Sequence, residues 1–170
     1  MSRTVVAALV RPLAGRDRAR VEAMTRATGL FREGEVAVAL EVFDAAVGLN
    51  RAADPDYESA GAELDGTLVG WICWGPTPGT QGTFHLYWIV VDPGWQHRGV
   101  GAALIEEMER RVAKRARLIA VETAGRPDYA PTRGFYAGRR YRVAAEIADF
   151  YAPGDNLVVF VKRIEVGDQG

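Results

Sequence analysis

The residues of this chain whose types and spacing could do chemistry are concentrated in one run: Ile89-Val90-Val91-Asp92-Pro93-Gly94-Trp95-Gln96-His97-Arg98-Gly99-Val100-Gly101-Ala102. Its β-branched start predicts a strand, and Asp92-Pro93-Gly94 ends that strand. Beyond the glycines, Leu104, Met108 and Val112 recur at helical spacing. A helix start leaves backbone amides without intrahelical partners and carries the positive end of the helix dipole, which together make an anion site. Glycine at 99 and 101 lets a phosphate reach the backbone with no Cβ in the way. The predicted chemistry is phosphate binding by the main chain. The run has neither the Gly-x-x-x-x-Gly-Lys-Ser/Thr of a P-loop nor the Gly-x-Gly-x-x-Gly of a dinucleotide fold.

Groups able to move a proton or attack a carbonyl are few. The chain has 2 histidines, His85 and His97, and 1 cysteine, Cys73. A metal site of those types is excluded, because three or four ligands cannot be assembled from them. One cysteine also excludes an internal disulfide and favours a reducing compartment. Cys73 lies in the apolar run Val69–Trp74 and reads as a small buried hydrophobe rather than a nucleophile. His85 titrates near neutrality and is a candidate base. Glu122 is a second candidate, at the C-terminal end of a predicted strand, where open α/β sheets place their ligands.

The elements that must position these groups follow from periodicity. Val5–Val10 predicts a strand, Asp17–Thr28 a helix on Val21, Met24 and Ala27, and the segment after Gly34 a second helix on Val36, Leu40, Phe43 and Val47. Asn50–Asp56 is a polar break. Strands are predicted at Glu58–Leu64, Thr67–Trp74 and Thr83–Val91, the first two joined by the hairpin signal Asp65-Gly66. A helix over about 99–114, a strand Leu118–Thr123 and a short helix Pro131–Gly138 come next. Two last strands, Tyr141–Asp149 and Leu157–Arg163, are joined through Pro153-Gly154. The order βααβββαβαββ predicts an α/β (α+β) chain, a mixed sheet with helices on both faces.

Composition sets the class. At 170 residues, 48 % apolar and 25 % charged, the chain predicts one soluble domain spanning 1–170, burying about 69 % of its unfolded surface. Lys and Arg number 21 against 22 Asp and Glu, a net charge of −1, which argues against a general nucleic-acid binder. No apolar stretch approaches the roughly 20 residues needed to span a bilayer. Val5–Val10 ends at Arg11-Pro12 without a small-residue cleavage site, so it reads as a strand rather than a signal peptide. A cytoplasmic protein is expected.

Gln96, Gly99 and Gly101, as Gln-x-x-Gly-x-Gly, resemble the acyl-CoA pyrophosphate loop of the GNAT superfamily of N-acetyltransferases. The resemblance covers nearly the whole chain: the element order is that family's, and Phe135-Tyr136 falls in the expected late helix. It implies a mixed, mostly antiparallel seven-stranded sheet and acetyl-CoA as cosubstrate, without a metal. It implies that the amides of Arg98, Gly99, Val100, Gly101 and Ala102 hold the pyrophosphate, with Gln96 and His97 also in the cofactor loop. Ile89, Val90 and Val91 would pair with the pantetheine amides, in a V where Leu86–Val91 splays from Leu118–Thr123. A backbone N–H at Ile89 or Val91 would polarise the thioester carbonyl. Tyr136 matches the family's acid, which protonates the departing thiolate. The base stays open between His85, Glu122 and water. Two departures are plain: the family's usual glycine four residues after that tyrosine is Arg140 here, with Gly138 a candidate early helix cap, and the upstream asparagine is not evident.

The same resemblance places an acceptor site among Leu30, Phe31, Arg32 and Glu35, the strand residues His85, Tyr87 and Trp88, and Phe150, Tyr151 and Asp155. Aromatics with a carboxylate nearby suit a small ammonium or amino-acid-like acceptor, with Phe31, Tyr87 and Tyr151 in contact with it. Only one of Tyr87 and Trp88 can face it, since strand neighbours point oppositely. The expected activity is acetyl transfer from acetyl-CoA to a small-molecule primary amine by direct attack. A non-catalytic CoA-binding module, a protein N-terminal transferase or a longer-acyl transferase are the alternatives. The aromatic last strands are a candidate homodimer surface.

Overall fold

In the computed structural model, which describes residues 7–50 and 56–165, the chain falls into two compact units. One comprises the described residues up to Gly75 together with Trp88–Arg111, the other Pro76–Tyr87 together with the described residues from Val112. The elements are β1 (Leu9–Arg11), α1 (Arg18–Ala27), α2 (Glu33–Ala46), β2 (Glu58–Leu64), β3 (Thr67–Pro76), β4 (Thr83–Val91), α3 (Val100–Val112), β5 (Leu118–Ala124), α4 (Ala130–Ala137), β6 (Arg142–Ala152) and β7 (Asp155–Arg163). The strands form a seven-stranded sheet in the order β1-β2-β3-β4-β5-β7-β6. β4 and β5 are parallel, while β1–β2, β2–β3, β5–β7 and β6–β7 are antiparallel. The predicted order and the mixed sheet are those observed.

In the first unit, β3 carries the packing. All of Leu68–Trp74 is buried, which explains a continuous apolar run without polar alternation. Trp71 and Cys73 face α1 and α2, in a core with Val21, Met24, Val36, Leu40 and Phe43. The Trp71 indole N–H donates to Thr25 Oγ1 (3.1 Å), and that hydroxyl donates to the Val21 carbonyl (2.7 Å), so the buried polar atoms are satisfied. Gly70 faces the other way, where a Cβ would stand 2.9 Å from Val100 Cγ1 and 3.1 Å from Leu104 Cδ1. α3 lies that close because residue 70 has no side chain. The Asp65-Gly66 hairpin has φ of 50° and 75°, the paired positive values of a type I′ turn.

In the second unit, β5 pairs with β7 from Leu118↔Arg163 to Ala124↔Leu157 and with β4 from Thr83↔Leu118 to Leu86↔Val121. Tyr136 on α4 packs its ring against Phe135, Tyr141 and Phe160 (centroids 5.4, 5.6 and 5.8 Å). β6 lies at the sheet edge and is exposed from Arg142 to Tyr151.

Two expectations need correction. The first strand is Leu9–Arg11, not Val5–Val10, whose first two residues lie outside the described ones. Its extent is set by pairing with β2 (Leu9↔Glu63 to Arg11↔Gly61), not by its own composition. Gly138 does not cap α4 with a left-handed residue, for its φ is −63°. Arg140 does so, with φ of 66°. The Arg140 N–H donates to the Ala137 carbonyl (3.2 Å) and the Tyr141 N–H to the Tyr136 carbonyl (3.1 Å), a Schellman closure with the Tyr136 and Tyr141 rings in contact across it. With arginine rather than glycine or asparagine at position 140, this turn is hidden from local reading.

Candidate functional site

The first unit holds the two-glycine loop. β4 delivers the chain at Val91, and Pro93–Trp95 forms one short 3-10 turn. Asp92 organises this corner. Its Oδ1 accepts from the Gly94 N–H (2.9 Å), its own N–H donates to the Val69 carbonyl (2.8 Å), and its Oδ2 accepts from Arg20 Nη2 (2.6 Å). Arg20, on α1, also donates from Nε to the Leu68 carbonyl (2.9 Å). One guanidinium thus ties the head of the loop to β3. Sequence reading gave Asp92 only the end of a strand and missed Arg20 entirely, since the partners are 72 residues apart.

His97 and Gly99 both turn through positive φ, 61° and 81°, and Gln96–Gly99 is exposed. The first helical bond of α3 runs from the Ala103 N–H to the Gly99 carbonyl (3.0 Å). The amides of Val100, Gly101 and Ala102 therefore precede the intrahelical ladder and are the donors a helix N-terminus offers to an anion. A Cβ on Gly99 would have nothing within 4 Å, so that face of the loop is open. Arg98 lies over the Trp95 ring (4.9 Å to the centroid), which keeps its charge beside the loop. Ile89 and Val91 are half-buried and Val90 is buried in the unit's core.

Trp88 packs in the same unit, stacked on Trp71 (6.4 Å) and met edge-on by Phe31 (5.0 Å). Phe31 is partly buried against that core.

The second unit holds the titratable candidates. His85 is paired with Ala120, and Glu122 lies two residues further along β5, so imidazole and carboxylate share a sheet face. Burial lowers the His85 pKa below the ordinary 6.5, and the Glu122 charge opposes that shift. Tyr87 stands beside His85, with ring centroids 4.7 Å apart. Tyr87 and Trp88 thus point to opposite sides of β4, as strand alternation requires. Tyr136 is 2 % exposed, and burial raises its hydroxyl pKa well above 10, so it stays protonated at neutral pH. Phe150 and Tyr151 on β6 are exposed and meet edge-to-face at 5.0 Å. His85, Tyr87 and Glu122 are brought together; Tyr136 sits in a separate aromatic cluster, and Tyr151 on the edge strand.

A mixed sheet with an open helix-start turn between β4 and α3 is the arrangement that the sequence resemblance implies. A profile described as the acetyltransferase (GNAT) family matches residues 24–139, and the chain belongs to that family. It is 35 % identical to a GNAT-family protein of Desulfovibrio desulfuricans, with a TM-score of 0.86 over 94 % of this chain and 100 % of the other. It is 29 % identical over 73 residues to the S-(2-succino)cysteine N-acetyltransferase of Bacillus subtilis (strain 168), a match spanning 41 % of this chain and 44 % of that relative. The fold is also that of a Salmonella typhimurium protein solved with its cofactor acetyl-CoA: 15 % identity, TM-score 0.72, coverage 94 % and 95 %. No helix among the described residues is long and apolar enough to cross a membrane.

Proposed function

We propose that the chain is an N-acetyltransferase acting on the primary amine of a small, amino-acid-like molecule. The observation that carries this reading is the loop from Gln96 to Ala102 on a chain of acetyltransferase family. The loop fits a CoA pyrophosphate: its helix-start amides lead into α3, the Gly99 face is open, and Arg98 lies alongside. Acetyl-CoA supplies an acetyl group activated as a thioester. The chain's residues would do the rest. The N–H of Ile89 or Val91 polarises the thioester carbonyl, a donor worth about 3 kcal/mol in comparable acyl-transfer sites. His85, with Glu122 beside it, takes the proton of the acceptor ammonium, and Tyr136 gives one to the departing thiolate. Phe31, Tyr87 and Tyr151 are the proposed acceptor contacts. The partial match to an enzyme named for a cysteine-derived amine supports an α-amino acceptor.

The test incubates the protein with acetyl-CoA and a panel of S-substituted cysteines, other amino acids and aminoglycosides. Thiol release is read with a colorimetric thiol reagent and the acetylated product by mass spectrometry. Cys73 is fully buried and its thiol pKa is pushed far up, so the native enzyme contributes no background. Release with an amine-bearing substrate above the hydrolysis rate supports the reading. Burial of Tyr136 favours a second reading, a CoA-binding module without acceptor chemistry. CoA binding with no amine-dependent thiol release would establish that one instead.

A further inference from the structure

We infer that a cavity of about 500 Å³ in the second unit is a binding site for a small polyanion, a molecule bearing two or more phosphate or carboxylate groups. Arg140, Arg142, Lys162 and Arg163 line it, against one acid, Glu165. Arg140, Arg142 and Arg163 make no ion pair among the described residues, while Lys162 lies over the Tyr141 ring at 5.4 Å. The three unpaired guanidinium groups at one concavity repel one another unless something negative joins them. Guanidinium groups offer forked donors that match phosphate and carboxylate oxygens two at a time. The volume is that of a small-molecule pocket, about 300–1,000 Å³, and too small for a folded partner.

Arg140 is the independent sign. It holds the left-handed position of the Schellman turn that closes α4, at φ of 66°, where glycine sits without steric cost and an L side chain is strained. The chain accepts a Cβ there, and what that side chain supplies is a guanidinium in this cavity. Strain retained at a ligand-facing position is the pattern of a binding residue. The site is separate from the His85–Glu122 pair. Arg163 faces Leu118, the first residue of β5, and Glu122 is four residues along that strand, roughly 13 Å away.

The test titrates the full chain with inorganic pyrophosphate and, separately, with citrate, by calorimetry and thermal shift at matched ionic strength in chloride. Saturating CoA is present throughout, so that the loop at Gln96–Ala102 is not the site being read. Arg140→Gly is expected to melt at the same or a higher temperature than the parent without anion, and to bind the anion on the order of tenfold more weakly. Arg142→Ala and Arg163→Ala are expected to weaken binding similarly. Binding of either probe that these variants weaken supports the site. No binding of either probe by the parent chain, or undiminished binding in all three variants, overturns it. Neither outcome depends on acetyl transfer.

Discussion

His85 is half-buried on β4, with Glu122 on the same sheet face, and the two environments pull its protonation in opposite directions. Burial dominates, so the imidazole gives up its proton below the ordinary value of about 6.5. If His85 is the base, the acid limb of kcat/KM falls below pH 6.5 rather than at it. His85→Gln should abolish that limb, with a loss of roughly 10²-fold or more in rate. Glu122→Gln removes the one charge that raises the pKa, so the limb should move to still lower pH. A pH–rate profile of the parent and both variants checks this; an acid limb unchanged in His85→Gln would remove His85 from the mechanism. The same shift has a stability sign. A group whose folded pKa is depressed lets the unfolded chain take up the proton first, so stability is complete above about 6.5 and declines as pH falls through the folded value. His85→Gln should lose less stability between neutral and acidic pH, measured by urea unfolding. The histidine itself was visible in the sequence. Its partner was visible only as a residue at a strand end, because their approach depends on the register of two strands whose paired residues are 35 positions apart.

At the scale of elements, the loop is held by what surrounds it. Arg20 reaches from α1 to Asp92 and to the Leu68 carbonyl, tying three segments of the first unit. Arg20→Ala should loosen the turn without removing any of the proposed phosphate donors. The expected result is a several-fold rise in KM for acetyl-CoA with kcat little changed, and partial rescue by Arg20→Lys. The bridge is partly exposed, so its own contribution to stability is about 1 kcal/mol at most. Gly70 makes a different demand. A Cβ there presses on Val100 and Leu104, the first turns of the helix that carries the loop. Gly70→Ala should destabilise by about 1–3 kcal/mol and weaken CoA binding with it. Denaturant unfolding and CoA titration on the same variant check both. Strand composition predicts β2 and β4 at their observed bounds, and Asp65-Gly66 predicts the hairpin, because those signals are complete within a few residues. The cap of α4 gave no such signal: an arginine, unlike a glycine or an asparagine, does not mark a left-handed position.

For the whole molecule, ligand linkage is the expected signature of the proposed function. CoA at about 100 times its Kd should stabilise the folded chain by about 2.7 kcal/mol, a rise in Tm of roughly 5–10 °C for a chain of this size. A thermal melt with and without CoA measures it; no rise at saturating CoA would contradict the loop's assignment. Balanced charge, 21 basic against 22 acidic residues, had no bearing on this, because the proposed phosphate donors are backbone amides. The overall balance also conceals the uneven placement that gathers Arg140, Arg142, Lys162 and Arg163 around one cavity. By itself the sequence determined the order of elements, the two-glycine turn ahead of α3, the hairpin turn and the family resemblance. Each of these is written in neighbouring residues, through propensity, periodicity or spacing. Only the tertiary structure decided that Arg20 clamps Asp92, that Tyr136 is enclosed by Tyr141 and Phe160, and that Arg140 takes the left-handed turn beside a basic cavity. Those depend on which distant segments meet, and burial, ion pairing and convergent charge exist only after the chain has folded.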